Sequence, residues 1–460
     1  MTTTPSVQQP VMQSTSPDEA ADAFLHDLQR WAHDCIRRYA DEPTTDVHDQ
    51  GTYMVGWRPM VHALDDRETL AFMKRQRDLM HAGYVERDLW RHGYWRRQEV
   101  HHGTEHFELF LGVLHKLDPD DGDTIAAFVD AAEHLGNWSS DVPDWYDQEH
   151  DLFHSLYFGV DEVGRAANAN SNEAAPDDGA SQAVNVADHF RCITLLMMAS
   201  AMTGQSRYAD LATTYGRRWA RGIVDCPTIP AGLTRSGVYD HLSDNQRDDY
   251  RSFAGMSGDL SLEVDRAENL LASDAPAALH KLWDLTGEEV FHQALIRLLD
   301  ALSTQLDDPD AGPAADALRQ YRKATGDNRY DAALVNASGA SGRHAATVRS
   351  IELTPRKRTG PREVGVGKRN DLPRWTEDGR PRKINPITLA AGADVSGDDA
   401  QWTLAIDLAH AYFNAATQVF PDGRHHGCAA GTISAVARGH GRDNNAGMTT
   451  AVLDAWLTRN

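Results

Sequence analysis

The densest collection of residues able to do chemistry lies between Trp90 and Gly112, in WRHGYWRRQEVHHGTEHFELFLG. Its first 17 residues hold His92, His101, His102 and His106 together with Trp90, Tyr94, Trp95, Gln98, Glu99 and Glu105. An imidazole titrates near neutrality, and a neighbouring carboxylate can orient it for proton transfer. Aromatic faces add platforms for a ring-shaped ligand, so the stretch has the parts of a binding cleft. Glu105 and His106 are candidate catalytic groups; Tyr94, Trp95, Gln98, His101 and His102 are candidate substrate contacts. His102 and His106 also have the i, i+4 spacing of a helical metal pair. Gly103 and a Thr104 N-cap instead put His102 ahead of the helix, so a divalent cation is an open alternative and no metal ligand or cofactor is assigned. A helix-entry loop with histidines bonded to backbone is the plain structural alternative.

Four further groups stand at inter-helix junctions. Glu133, His134, Asn137 and Trp138 end a helix in AAEHLGNW, as a carboxylate binder (Asn137) and a stacking platform (Trp138) or as a solvated helix end. Trp145, soon afterwards, is a second possible platform. Asn185, Asp188, His189 and Arg191 open an otherwise apolar helix, where polar groups must face a cleft or a dedicated partner, because burying them unpaired costs several kcal/mol. Tyr239, Asp240 and His241 form a Tyr–His pair suited to β-elimination. Arg424, His425, His426 and Cys428, followed by His440, Arg442 and Asn444, sit in two short glycine-flanked loops.

The elements that must position these residues are helical. Ser16-Pro17-Asp18-Glu19 begins a helix reaching about residue 40, and residues 1–15 read as a disordered tail. A helix over about 66–81 stops at Gly83; a hairpin follows, 104–117 and 123–135, with Gly136 as its C-cap. Residues 161–183 read as a loop excursion, 186–202 as an almost wholly apolar helix and 206–223 as a one-faced one. Between 336 and 385 the helical pattern breaks, and TVRSIELT alternates like a strand. Residues 356–383 hold ten Lys/Arg against four Asp/Glu, either a solvated loop or a basic lip for an anionic substrate. A helix over 400–419 and another from about 447 close the chain.

At 460 residues, the net charge of −23 argues against nucleic acid or an anionic membrane as a general partner. Cys35, Cys192, Cys226 and Cys428 lie far apart, without a CxxC pair, which indicates neither a zinc knuckle nor a disulfide framework. No apolar run approaches the ~18 residues of a membrane span, and the polar N-terminus lacks the order of a secretion signal, so the expected location is cytoplasmic.

One turn recurs: TGQSRY from Thr203, TGEEVF from Thr286, TGDNRY from Thr325 and a worn SGDDAQW from Ser396. Each ends one helix and precedes the next. Helical hairpins joined in this way over more than 300 residues resemble the (α/α) toroid carbohydrate-active enzymes: polysaccharide lyases, unsaturated uronyl hydrolases and sugar epimerases. The resemblance implies an all-α fold, an (α/α)6 or (α/α)7 toroid over residues 16–460, to which the broken pattern adds a small strand-containing insertion near 340–385. It also implies loops at one rim that grip an oligo- or polysaccharide.

On that basis the expected function is β-elimination of a uronate-containing glycan. His106, His189 and Tyr239 are the acid–base candidates; Arg191, Asn137 and Arg424 bind the carboxylate; Trp95 and Trp138 stack; His426 is a further rim contact. The alternatives are a glycoside hydrolase using Glu105 and Asp188 as its carboxylate pair, a sugar epimerase, or a non-catalytic helical-array binding protein. Convergence of the clusters on one rim favours an enzyme, whereas scatter favours the binding protein.

Overall fold

The computed structural model describes residues 7–40, 52–87, 90–95, 100–139, 145–153, 185–235, 237–239, 262–354, 374–419 and 449–459. Most of these residues are helical, with a few small antiparallel sheets. No described helix is long and apolar enough to cross a membrane. The chain groups into two compact units: one takes the described residues up to Met80 and from Leu302 onward, the other lies within His81–Ala301.

The recurrent turn has one physical form. Gly204, Gly287, Gly326 and Gly397 adopt φ between 68° and 74°, the left-handed region where a Cβ is unfavourable. Each glycine N–H donates to the carbonyl four residues back, on Ser200, Trp283, Arg322 and Ala393. The preceding Thr or Ser bonds its own i−4 carbonyl, and Thr203, Thr286 and Thr325 then accept the N–H two residues ahead. Stop, turn and restart are therefore written in two residues.

In the first unit, helix Pro17–Tyr39 starts at the Ser16 cap and packs Phe24, Leu28 and Trp31 against helix Asp399–Val419 and its Phe413. The expected disordered tail is corrected here for residues 7–15. Val7–Pro10 forms an edge strand on Ser350–Thr354, and the Ser14 N–H and hydroxyl both donate to the buried Asp407 carboxylate. An otherwise open strand edge needs a partner, and the N-terminus supplies it. Strands Arg374–Glu377 and Arg380–Pro381 complete a four-stranded sheet in the order first strand, 350–354, 374–377, 380–381. The break expected from 336 begins later, because helix Asp331–Ala345 continues through it with Leu334 and Ala337 buried.

In the second unit, helices Arg191–Thr203 and Ser206–Asp225 form an antiparallel hairpin through Gly204. The pairing is read directly: Phe190 meets Trp219, with ring centroids 5.4 Å apart, and a Cβ on Gly216 would reach Ile193. Residues 185–191 and 217–226 therefore share one end, opposite Gly204. A three-stranded sheet of Asn185–Val186, Gly232–Thr234 and Gly237–Tyr239 lies at that shared end.

Candidate functional site

Arg191 is the centre of a buried charge cluster in the second unit. The chain enters through Val186 and a 3-10 turn, Ala187–Phe190, which sets Asp188 three residues before Arg191. Arg191 Nη1 donates to Asp188 Oδ1 at 3.0 Å and Nη2 to the Ala272 carbonyl at 3.0 Å, while Nε lies 2.5 Å from Glu108 Oε2. Glu105, Asp188 and Arg191 are 4%, 3% and 6% exposed, so solvent does little to screen them. Half-buried Asp274 adds a further carboxyl, with Lys281 and Lys116 offsetting it.

Helix Val100–Glu105 brings in the carboxylates and passes through a π-helical turn, His106–Leu111, into Gly112–Leu117. Such wide turns recur at functional sites because they break the ordinary side-chain spacing. The helix starts four residues before the expected Thr104 cap, so Thr104 is a buried interior residue and the backbone of His101 and His102 is already helical. Burial pushes Glu108 up to about 8: desolvation outweighs the attraction of Arg191, and Asp274 and Glu105 add repulsion. Burial thus favours the acid form of Glu108 over that of an ordinary glutamate. Next to Arg191 and Asp274, the hydroxyls of Thr194 and Ser273 are buried with no hydrogen-bond partner among the described residues. Unmet hydroxyls of this kind mark a place for water or a ligand hydroxyl.

His106 lies elsewhere on the same turn, fully buried among Trp90, Phe107 and Phe110. Its Nε2 is 2.9 Å from Nε2 of His81, so one ring donates and the other accepts. A proton added to the acceptor would set two donors against each other. His189 Nδ1 accepts the Val186 N–H at 3.1 Å, which fixes the imidazole as the Nε2–H form and gives it a capping task. Asn185 is fully engaged with the Phe153 backbone and the Tyr215 hydroxyl.

The remaining sequence candidates are placed differently. Asn137 takes φ +57° and holds the Trp145 and Tyr146 N–H groups and the Tyr146 carbonyl, so its amide builds the turn. Trp138 is 38% exposed, with Arg207 over one face at 4.9 Å and Tyr208 at its edge. Trp145, a possible platform in the sequence, is buried. Glu133 bonds Arg207 and Tyr208 and therefore marks the Gly204 end, away from Arg191. The backbone of Tyr94, Trp95 and Tyr239 is in strands, but their side chains, with those of His101 and His102, lie outside the described residues. Gln98, Arg424 and His426 lie outside them altogether.

Sequence reasoning missed Glu108, His81 and Asp274. A lone carboxylate inside the apolar run HFELFLG, three residues after Glu105, was the available signal for Glu108. Among the described residues, one group has a metal-binding donor set: His92, Asp130 and His134, with ligand atoms within 4.8 Å of one another. His92, at φ +53° in a tight turn, stacks on His134 at 3.6 Å and contacts the Asp130 carboxylate at 3.0 Å. His134 follows Glu133, which puts this group towards the Gly204 end as well.

Compared with known proteins, the chain matches no protein-family model and no curated sequence.

Proposed function

We propose that this protein is a carbohydrate-active enzyme that cleaves a glycosidic linkage, with the Arg191 cluster as its acid–base centre. One observation carries the reading: Glu108, whose carboxyl burial pushes up, and Asp188, hydrogen-bonded by the guanidinium, flank the same Arg191. Two carboxyl groups in unlike environments are what acid–base cleavage of an acetal needs, one to protonate the leaving oxygen and the other to act as base or nucleophile. The unmatched hydroxyls of Thr194 and Ser273 suit a hydroxylated ligand. Hydrolysis thereby moves ahead of elimination, since His189 is occupied in capping.

Elimination from a uronate is the second reading, for which the His81–His106 pair offers a base: the ring that donates through Nε2 carries its acceptor lone pair on Nδ1. Closure of the helical hairpins into a toroid belongs to the same proposal, supported by four turns that share a left-handed glycine. Purified protein incubated with neutral and uronate-containing oligosaccharides distinguishes the readings. New reducing ends without ultraviolet absorbance mean hydrolysis, and new reducing ends with absorbance of an unsaturated product mean elimination. Neither signal on any glycan would exclude both.

A further inference from the structure

The last two turns of helix Ser206–Asp225 and the hairpin of Gly232–Thr234 and Gly237–Tyr239 enclose a recess of about 630 Å3, within the range of small-molecule sites. Four arginines, Arg217, Arg218, Arg221 and Arg235, line it against two carboxylates, Asp151 and Asp225. Glu288 and Asp147 neutralise Arg217 and Arg235, so the cationic character open to a ligand in this acidic chain comes from Arg218 and Arg221, which make no salt bridge among the described residues.

The four guanidinium groups are not equivalent. Arg217 is held by both oxygens of Glu288, at 2.8 and 2.6 Å, and Arg235 Nε lies 3.3 Å from Asp147. Arg218 donates to the Thr234 carbonyl, yet its Nε is buried without a hydrogen-bond partner among the described residues. Arg221 is exposed and has no salt bridge among the described residues. The helix ends here, and its C-terminal carbonyls would repel an anion. Arg297 covers them: its Nη1 reaches the Ile223 and Cys226 carbonyls at 2.5 Å and that of Val224 at 3.2 Å.

We propose that this recess binds the oxyanion group, carboxylate or phosphate, of a small hydroxylated molecule. Arg218 and Arg221 make the primary contacts, Arg217 and Arg235 are braced behind them, and Asp151 and Asp225 accept the ligand's hydroxyls. Guanidinium forks match both oxyanions, and a charge-assisted hydrogen bond contributes more than a neutral one. The recess shares the end of the hairpin that carries Arg191, but its ligand chemistry is independent of the reaction proposed there.

Isothermal titration of the full chain with glucuronate, glucose 6-phosphate and glucose tests the assignment. One or both anions are expected to bind, and the preferred anion identifies the oxyanion. Glucose is expected to bind at least about tenfold more weakly, and Arg221→Ala to weaken the anion about tenfold, the loss of one charge-assisted contact. Circular dichroism and thermal midpoint check that the variant stays folded, and Arg221→Lys is expected to recover part of the affinity. Absence of anion binding, equal binding of glucose, or unchanged affinity in folded Arg221→Ala would overturn the proposal. Binding is read without turnover, so its failure leaves the glycosidic reading untouched, and the reverse also holds.

Discussion

At the residue scale, opposing forces meet at Glu108. Arg191 attracts the ionised form, but burial and two neighbouring carboxylates prevail, so the group goes from an ordinary 4.5 to about 8. A carboxyl raised on folding makes a stability contribution that is fully present below its unfolded value and is lost as pH rises through the folded one. The thermal midpoint of the wild type is therefore expected to fall between about pH 5 and 8 more steeply than that of Glu108→Gln. Parallel slopes in a midpoint-versus-pH series would contradict the shift. Arg191 is a separate case, because removing it leaves Asp188 and its neighbours buried without their counter-charge. Arg191→Met is expected to cost about 3–5 kcal/mol in urea denaturation, the usual loss when one partner of a buried ion pair is removed.

At the scale of elements, helix boundaries are the most legible part of the sequence. Gly204, Gly287, Gly326 and Gly397 were each readable as stops because only glycine takes the left-handed geometry at little cost. Gly204→Ala is expected to lower stability by about 1–2 kcal/mol, measured by chemical denaturation, with the secondary structure unchanged. What the sequence hides is pairing between distant segments. Nothing local in VQQP announces a strand, because its partner, Ser350–Thr354, is more than 300 residues away. The extra turn before Thr104 is hidden for a related reason: Gly103 and Thr104 look like a boundary locally, whereas burial against the 187–190 turn keeps the chain helical. In the candidate site, Asp188 and Arg191 were readable as polar residues opening an apolar helix. Asn137 resembled a ligand contact and proved to be turn scaffold, since its side chain satisfies backbone that the sequence does not display.

At the scale of the molecule, the groups in the His81–Ala301 unit divide by the ends of one hairpin. Arg191, Asp188 and the arginine recess lie at one end, while Glu133, Trp138 and the His92–Asp130–His134 group lie towards Gly204. Helix Arg191–Thr203, 13 residues long, sets these ends about 18 Å apart. Chemistry centred on Arg191 is therefore expected to survive chelation: dialysis against a chelator should leave turnover unchanged, and a loss restored by added metal would move the reacting centre to the histidines. The acid role of Glu108 is decided by comparing wild type with Glu108→Gln, as folded protein, for release of new reducing ends from the best oligosaccharide substrate across pH. Activity is expected to decline above about pH 8 in the wild type and to fall at least about a hundredfold in Glu108→Gln, the scale of a lost general acid. Full activity in the folded variant would show that the Arg191 cluster is a structural clamp and that the chemistry lies elsewhere.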